Sequence, residues 1–447
     1  MNIRSIGNFI KNLEHHSDVV FKVLFIVVFG LIIGMAATSK FNAHPDEFVH
    51  VKAVEYYQNH WLPPVVSDPE IRSSFSVYGH SRLSEFDFYY FLNGKFSALV
   101  DYFVDDPVFS MRLFNSFLFL IMVVLFFKES KSVKPLFLVL LISPQIWYLF
   151  SYVNTDAFGL FLSIILVYQV LKNASLFNRF LSSSSAFGHI GGAIVISGLL
   201  ALQLFAKSNY YIILIFFAIL LIMHFIREKD HRKMIFIKYL IIAGISILFL
   251  APRYLYDVKL HGFDRKIIIS EHKEKYADNR FKRSKLQNST SYLGLHLKEK
   301  GVKYIDLFSE KWSWHKITFK SFSGVYGYMS VVGANSYYYL MLILYLILFG
   351  NLTFYSIYHQ PFIIKQLPLY FYFLFFLIII LSSHFSWTQD FQPQGRYLFA
   401  ILGVLGYWFS KFYEVNKATI FKLFIIAIAL VSCYSYVFVA LSDIPKI

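Results

Sequence analysis

Between Val19 and Ala37 only Lys22 interrupts an apolar run. At about 1.5 Å of rise per helical residue, such a run reaches across most of the ~30 Å hydrocarbon core of a bilayer. Similar runs recur at 108–127, 135–152, 156–171, 188–205, 210–226, 234–251, 337–357, 367–383, 396–410 and 419–440. Backbone groups in lipid must be satisfied within the protein. The pattern therefore predicts an all-α membrane protein, a polytopic helical bundle of about 11 transmembrane helices. Apart from Lys22, Lys238 and Lys422, all near run ends, the runs read as nearly free of charge. Hydrophobic residues make up 57% of the chain and charged residues 15%, more apolar surface than a soluble core absorbs.

The formal charge of +15 lies in short clusters rather than in a stripe that would fit nucleic acid. Lys128, Lys131 and Lys134, then Lys172 and Arg179, then Arg227, Lys229, Arg232 and Lys233, then Lys365, then Lys411 and Lys417 occupy connections between alternate runs. The opposite short connections, 152–155, 206–209 and 383–395, carry little positive charge. Basic loops face the cytoplasm, which places the N-terminus inside and the C-terminus outside, with membrane lipids as partners. Met1 to Asp18 is polar and no small-residue cleavage site clearly follows the apolar run, so the first run is expected to be retained. The single cysteine, Cys433, excludes an intrachain disulfide or a cysteine metal cluster.

Within one domain over 1–447, this topology leaves two long extracytoplasmic loops, 38–107 and 252–336. Phe48, Val51, Val54 and Tyr57 recur every third residue and predict a short helix, ended by Trp61-Leu-Pro-Pro64. Glu85–Phe103 predicts a second, interfacial helix with an aromatic side. In the second loop, Asp264–Lys285 carries eight Lys/Arg against four Asp/Glu. It reads as a solvated stretch, or as a patch for an anionic glycan or headgroup. Trp312 and Trp314 read as interface anchors or, with His315, as a platform for a sugar ring.

Asp46 and Glu47 stand directly after the first run, behind Pro45 and between His44 and His50. In one reading Pro45 opens a helix and the acids complement its dipole. In the other, a carboxylate is the base for a substrate whose lipid tail lies in the bilayer. Thr155 or Asp156 reads first as a helix cap. Lys207 and Arg396 are either snorkelling residues or, on the same face as the acids, a phosphate grip, with Arg253 and Arg82 behind them. His44, Asp46 and His50 are nominal metal ligands without a partner motif, and no metal site is assigned. No phosphate-binding glycine loop, dinucleotide fingerprint, HExxH or GxSxG occurs.

Pro45-Asp46-Glu47, Val153-Asn-Thr-Asp156, Lys207-Ser-Asn-Tyr210, Ser321-Phe-Ser-Gly-Val-Tyr-Gly327 and Gln394-Gly-Arg-Tyr397, in this order against the runs, carry a resemblance. The chain resembles the bacterial branch of the GT-C superfamily of integral-membrane glycosyltransferases. It departs from it in having Tyr78-Gly-His-Ser-Arg-Leu83 where a His-Pro-Pro-Leu type element is expected. The resemblance implies transfer, with inversion, of a sugar (a hexose, by expectation) from a polyprenyl-phosphate carrier to a cell-envelope glycan, lipid or protein acceptor. Transfer would take place at the outer face of the cytoplasmic membrane. It implies Asp46 as base, with Glu47 orienting the acceptor or supporting the base. Lys207, Arg396, Arg253 and Arg82 would hold the donor phosphate. His44, His50, Asp156, Trp312, Trp314 and His315 would stand on the acceptor and sugar side. No cofactor is implied, and a divalent cation is left open. Two other classes share the outline. An O-antigen-type polymerase or ligase would rest on outer-loop arginines rather than an acidic pair. A lipid or glycan transporter would show ionisable or helix-breaking residues in mid-span and internal pseudo-symmetry.

Overall fold

The computed structural model describes residues 3–358, 362–416 and 419–447; Lys417 lies outside the described residues. In chain order come α1 (Ile3–Thr38), α2 (Glu47–Asn59), α3 (Tyr89–Val100), α4 (Pro107–Lys128), α5 (Pro144–Leu149) and α6 (Asp156–Leu171). There follow α7 (Leu176–Ser182), α8 (Ile190–Phe205), α9 (Ile212–Arg227), α10 (Arg232–His261), α11 (Arg265–Tyr276) and α12 (Trp314–Gly324). A hairpin of β1 (Val325–Tyr326) and β2 (Val331–Val332) leads to α13 (Asn335–Tyr358), α14 (Phe362–Lys365), α15 (Leu367–Thr388), α16 (Leu402–Asn416) and α17 (Thr419–Ser435).

Among the described residues, seven helices are long and apolar enough to cross a membrane, or eight if α6 and α7, bent by 41°, count as one. By length and apolarity alone, this does not reach the expected count of about eleven. Residues 188–205 form only the shorter apolar helix α8. Residues 135–152 fall into a 3₁₀ turn, Lys134–Leu141, and then α5, while 396–410 begin as a 3₁₀ turn, Gly395–Ile401, before α16. Pro135 and Pro144 each remove a helical donor where a piece starts. Leu136–Ile142 is at most 3% exposed and Leu398–Ile401 at most 7%. Protein rather than lipid surrounds both stretches, and irregular backbone at membrane depth is tolerated there. Ion pairs nevertheless mark two ends of the bundle. Asp18–Lys134 (3.0 Å) and Glu129–Lys172 (2.6 Å) tie one end; Asp156–Lys207 (2.9 Å) and Asp46–Arg396 (3.7 Å) tie the other. The shorter segments thus still connect the two ends.

Chain before α4 and after α10 forms a cap at the second end. α2 buries Val51, Val54 and Tyr57, and Phe48 lies at its rim. Pro45 does not open this helix: Asp46 is its N-cap residue, without a side-chain cap bond. α3 is shorter than Glu85–Phe103, and the aromatic residues just beyond it are exposed, Tyr102 and Phe103 at 84% each. An aromatic rim of this kind suits the membrane interface. α10 does not stop at Pro252 but continues to His261, 30 residues in all, about 45 Å at ~1.5 Å per residue. Its extension reaches back to the first loop. His261 Nε2 accepts from the Val66 amide (3.1 Å), Asp257 pairs with Arg253 and Arg265, and Arg265 donates to the Ser84 carbonyl. Within 264–285, α11 buries no residue, as expected of a solvated stretch, but its last residue, Tyr276, stacks on Phe75 (4.4 Å), and Ala277 and Phe281 after it are buried.

Candidate functional site

Arg112, in the second turn of α4 and 1% exposed, organises the turn between α1 and α2. Its Nε and Nη2 donate to the two Glu47 carboxylate oxygens, both at 2.8 Å. Its Nη1 donates to the Ala36 and Ser39 carbonyls at 2.9 and 2.7 Å. The Asn42 amide adds a further bond to Glu47 (3.0 Å). Glu47 is wholly buried and its carboxylate is fully engaged, so it is not available to orient an acceptor. It holds the turn that carries its neighbour. Asp46, by contrast, keeps its side chain 35% exposed, on a backbone with φ 60°, a left-handed conformation uncommon for residues other than glycine, though less so for Asp than for most. Such strain persists only where the surroundings impose it, and it concentrates at functional sites.

Arg396 links Asp46 to a second carboxylate. Its Nη2 lies 3.7 Å from Asp46 Oδ2 and its Nε 3.7 Å from Asp156 Oδ2. Both are ion pairs too long for hydrogen bonds, and Arg396 Nε is buried without a hydrogen-bond partner. Asp156 also accepts two bonds from Lys207 Nζ, at 3.1 and 2.9 Å. Asp156 is therefore not the cap of α6; Thr155 holds the N-cap position without a side-chain bond, and Asn154 Oδ1 accepts from the Ala157 amide (3.1 Å) instead. Nor do Arg396 and Lys207 snorkel, since Arg396 is 7% exposed and burial pulls the Lys207 ammonium below the usual lysine range. Gly395 makes the placement of Arg396 feasible, because a Cβ there would stand 2.0 Å from the Phe322 amide of α12. Gly395→Ala is expected to cost ~1–3 kcal/mol through overpacking and to move Arg396, read as a lowered melting temperature.

Lys207 joins this cluster to a cavity of about 650 Å³. At one end its wall is charged: Arg82, Glu85, Asp87 and Lys207. Elsewhere it is apolar, with Ile212 and Ile215 from α9 and Ile378, Leu381 and Phe385 from α15. Arg82 donates to Glu85 Oε1 (2.9 Å), and its buried Nε has no hydrogen-bond partner. Burial pushes Glu85 up, but Arg82 and His80 more than reverse it and hold the carboxyl well below the usual range. Two residues on, burial and the Glu85 charge push Asp87 up to about 8. One carboxylate of the pair is therefore ionised at neutral pH and the other largely protonated.

Several expected site residues stand elsewhere. His44 bonds Ser39 Oγ (2.8 Å) and the Tyr148 hydroxyl (2.7 Å), while His50 bonds the Tyr90 hydroxyl (2.8 Å). Burial pulls both imidazoles well below the usual histidine range, so they are neutral packing groups rather than sugar ligands. They do not converge with Asp46, and no cluster of three His, Cys, Asp or Glu that could hold a metal occurs among the described residues. Trp312 and Trp314 belong with Leu297 and Leu307 to a separate small core, and His315 lies against Phe308. Trp314 is 2% exposed, its indole donating to Ser386 Oγ (2.9 Å). Neither tryptophan offers a face to a sugar. Arg253 does not line the cavity; it stacks on Phe86 (4.6 Å) and pairs with Asp257.

Sequence reasoning missed Arg112, Glu85 and Asp87. An arginine inside the run 108–127 was a legible signal, since charge inside a membrane segment needs a partner. Glu85 and Asp87 stand among charged sequence neighbours, Arg82 and His80, but the cavity that buries them is walled by α9 and α15, far along the chain.

The family described as "Predicted membrane protein (DUF2142)" matches residues 67–405, about three quarters of the chain. The chain belongs to this family. The matched part of this DUF2142 protein includes Arg82, Asp87, Asp156, Lys207 and Arg396, and Asp46 precedes it. No curated protein matches the sequence. Among solved structures, ArnT from Cupriavidus metallidurans bound to undecaprenyl phosphate is similar at 10% identity and a TM-score of 0.49. The likeness covers 89% of this chain and 60% of ArnT, so this chain spans about three fifths of that protein.

Proposed function

We propose that this DUF2142 protein transfers a sugar from a polyprenyl-phosphate carrier to an acceptor hydroxyl at the membrane surface. The observation that carries the reading is the divided cavity: Arg82 and Lys207 with Glu85 and Asp87 at one end, apolar α9 and α15 walls beyond, and Asp46 linked to Lys207 through Arg396 and Asp156. An anionic head on a long apolar tail fits such a shape. In the proposed step the acceptor hydroxyl attacks the anomeric carbon and Asp46 takes its proton. The bond between that carbon and the phosphate oxygen breaks, and its electron pair leaves with the lipid phosphate. Lys207 and Arg82 line the cavity where that charge develops, with Arg396 behind them between Asp46 and Asp156, and fixed cations there lower the barrier. Displacement from one side inverts the anomeric centre. Asp156 would hold Lys207 and Arg396 in place between turnovers.

The test is to incubate the purified protein with a panel of polyprenyl-phosphate-linked hexoses and pentoses and to measure free polyprenyl phosphate. Time-dependent release from at least one donor is expected. A folded protein that releases none from the whole panel would remove the reading.

A pH dependence follows from Asp87. Its pKa in the fold, about 8, lies above the unchanged value of 3.8, so the fold favours the protonated form. That contribution to stability is complete below the unfolded pKa and is lost as pH rises through about 8. An anion bound in the cavity favours the protonated form further. Donor affinity is expected to fall several-fold as pH rises past about 8, and Lys207, already below its usual range, adds in the same direction. Asp87→Asn should flatten the profile of dissociation constant against pH; an unchanged profile would assign the dependence to Lys207 alone.

A further inference from the structure

A second, larger cavity of about 1310 Å³ lies at the other end of the helices that wall the first. Along α9 the first cavity takes Ile212 and Ile215, and the second takes Leu220 to Arg227, beginning about 7 Å further on and ending some 22 Å from Ile212 at ~1.5 Å per residue. Along α15 the first takes Ile378 to Phe385, and the second takes Tyr370 near the start. The second cavity has its own charge pattern. Two cations, Arg227 and Lys238, line it against one carboxylate, Glu228, with His224 and His231 beside them. Lys238 lies six residues inside α10 and is 0% exposed. Its Nζ donates to the Leu181 and Ser183 carbonyls at 2.8 and 2.5 Å, and no carboxylate pairs with it among the described residues. An ammonium has three donors, so one remains beyond these two bonds. A cation at that depth is costly without counter-charge. The rest of the wall is apolar, including Leu220, Leu221, Met234 and Ile235. The same helices expose Ile222, Ile226, Phe236 and Leu240 at 54–58%, a surface suited to lipid chains.

We propose that this cavity binds an anionic glycerophospholipid from the leaflet opposite the Asp46 site. The phosphate sits between Lys238 and Arg227, and the acyl chains lie along α9 and α10. A soluble anion would have no use for the apolar walls, and a zwitterionic lipid would leave the excess of positive charge unmatched. Basic residues between alternate runs crowd this end of the bundle, where the positive-inside pattern meets anionic headgroups.

The experiment reconstitutes the full chain in vesicles of equal phosphatidylglycerol and phosphatidylcholine, extracts it in mild detergent, and weighs the retained lipid by native mass spectrometry. Wild-type protein should retain phosphatidylglycerol in several-fold preference. Lys238→Met and Arg227→Gln should each lose most of that preference. Arg227 makes no bond that fixes the fold among the described residues, so its variant serves even if Lys238→Met, which frees the 181–183 turn, does not fold. Equal retention of the two lipids, or an unchanged preference in the folded variants, overturns the site. Stabilisation by inorganic phosphate alone, equal to that by phosphatidylglycerol, overturns the lipid as its ligand.

Discussion

Replacing Asp46 by Asn is expected to lower turnover by ~10²–10⁴, the usual contribution of a positioned acid–base group, with donor affinity little changed. The amide keeps the shape of the carboxylate but has no oxygen that can take the acceptor's proton. Asp46 is suited to the role by being the partly exposed member of the acidic pair and by facing Arg396 across an ion pair that lacks a hydrogen bond. Its side chain caps no helix, so the substitution removes no cap bond, and the melting temperature should hardly move. Steady-state transfer from a synthetic polyprenyl-phosphate sugar, with thermal melting recorded beside it, separates the two effects. Wild-type turnover in the folded variant would end the assignment of Asp46.

The second large effect is on folding. Arg112→Met leaves the Glu47 carboxylate buried with only the Asn42 amide as partner, which is expected to cost ~3–5 kcal/mol. Glu47→Gln should cost less, because the guanidinium keeps the Ala36 and Ser39 carbonyls. The double variant, with neither charge left alone, should recover part of the loss, since residues in direct contact couple strongly. The measurement is the melting temperature and detergent-stable yield of the three variants. Additive losses in the cycle would show that the pair acts independently. A turnover collapse in Glu47→Gln at unchanged stability would return Glu47 to the chemistry.

These two predictions separate neighbours that the sequence presents as a pair. Asp46 and Glu47 look alike on paper, both charged and both just past the first apolar run. The motif residues Asp156, Lys207 and Arg396 were legible as candidates, because each is a charge placed where an apolar run meets an outer connection. Their meeting around Asp46 was not legible, since it depends on how α6, the turn before α9 and the turn before α16 pack. His44 and His50 misled for the opposite reason: flanking the acids in sequence, they turn into the core to meet Tyr148 and Tyr90. The runs 135–152 and 396–410 look like plain spans in sequence because hydropathy records apolarity and cannot tell lipid from protein as its surroundings.

What the sequence determined by itself was the membrane class and its helical character. Hydropathy and run length are local properties, and lipid leaves the backbone few alternatives to a helix. Only the tertiary structure decided which carboxylate is free. The partner of Glu47 lies 65 residues away on α4, and an ion pair forms where packing brings charges within reach, whatever their separation along the chain.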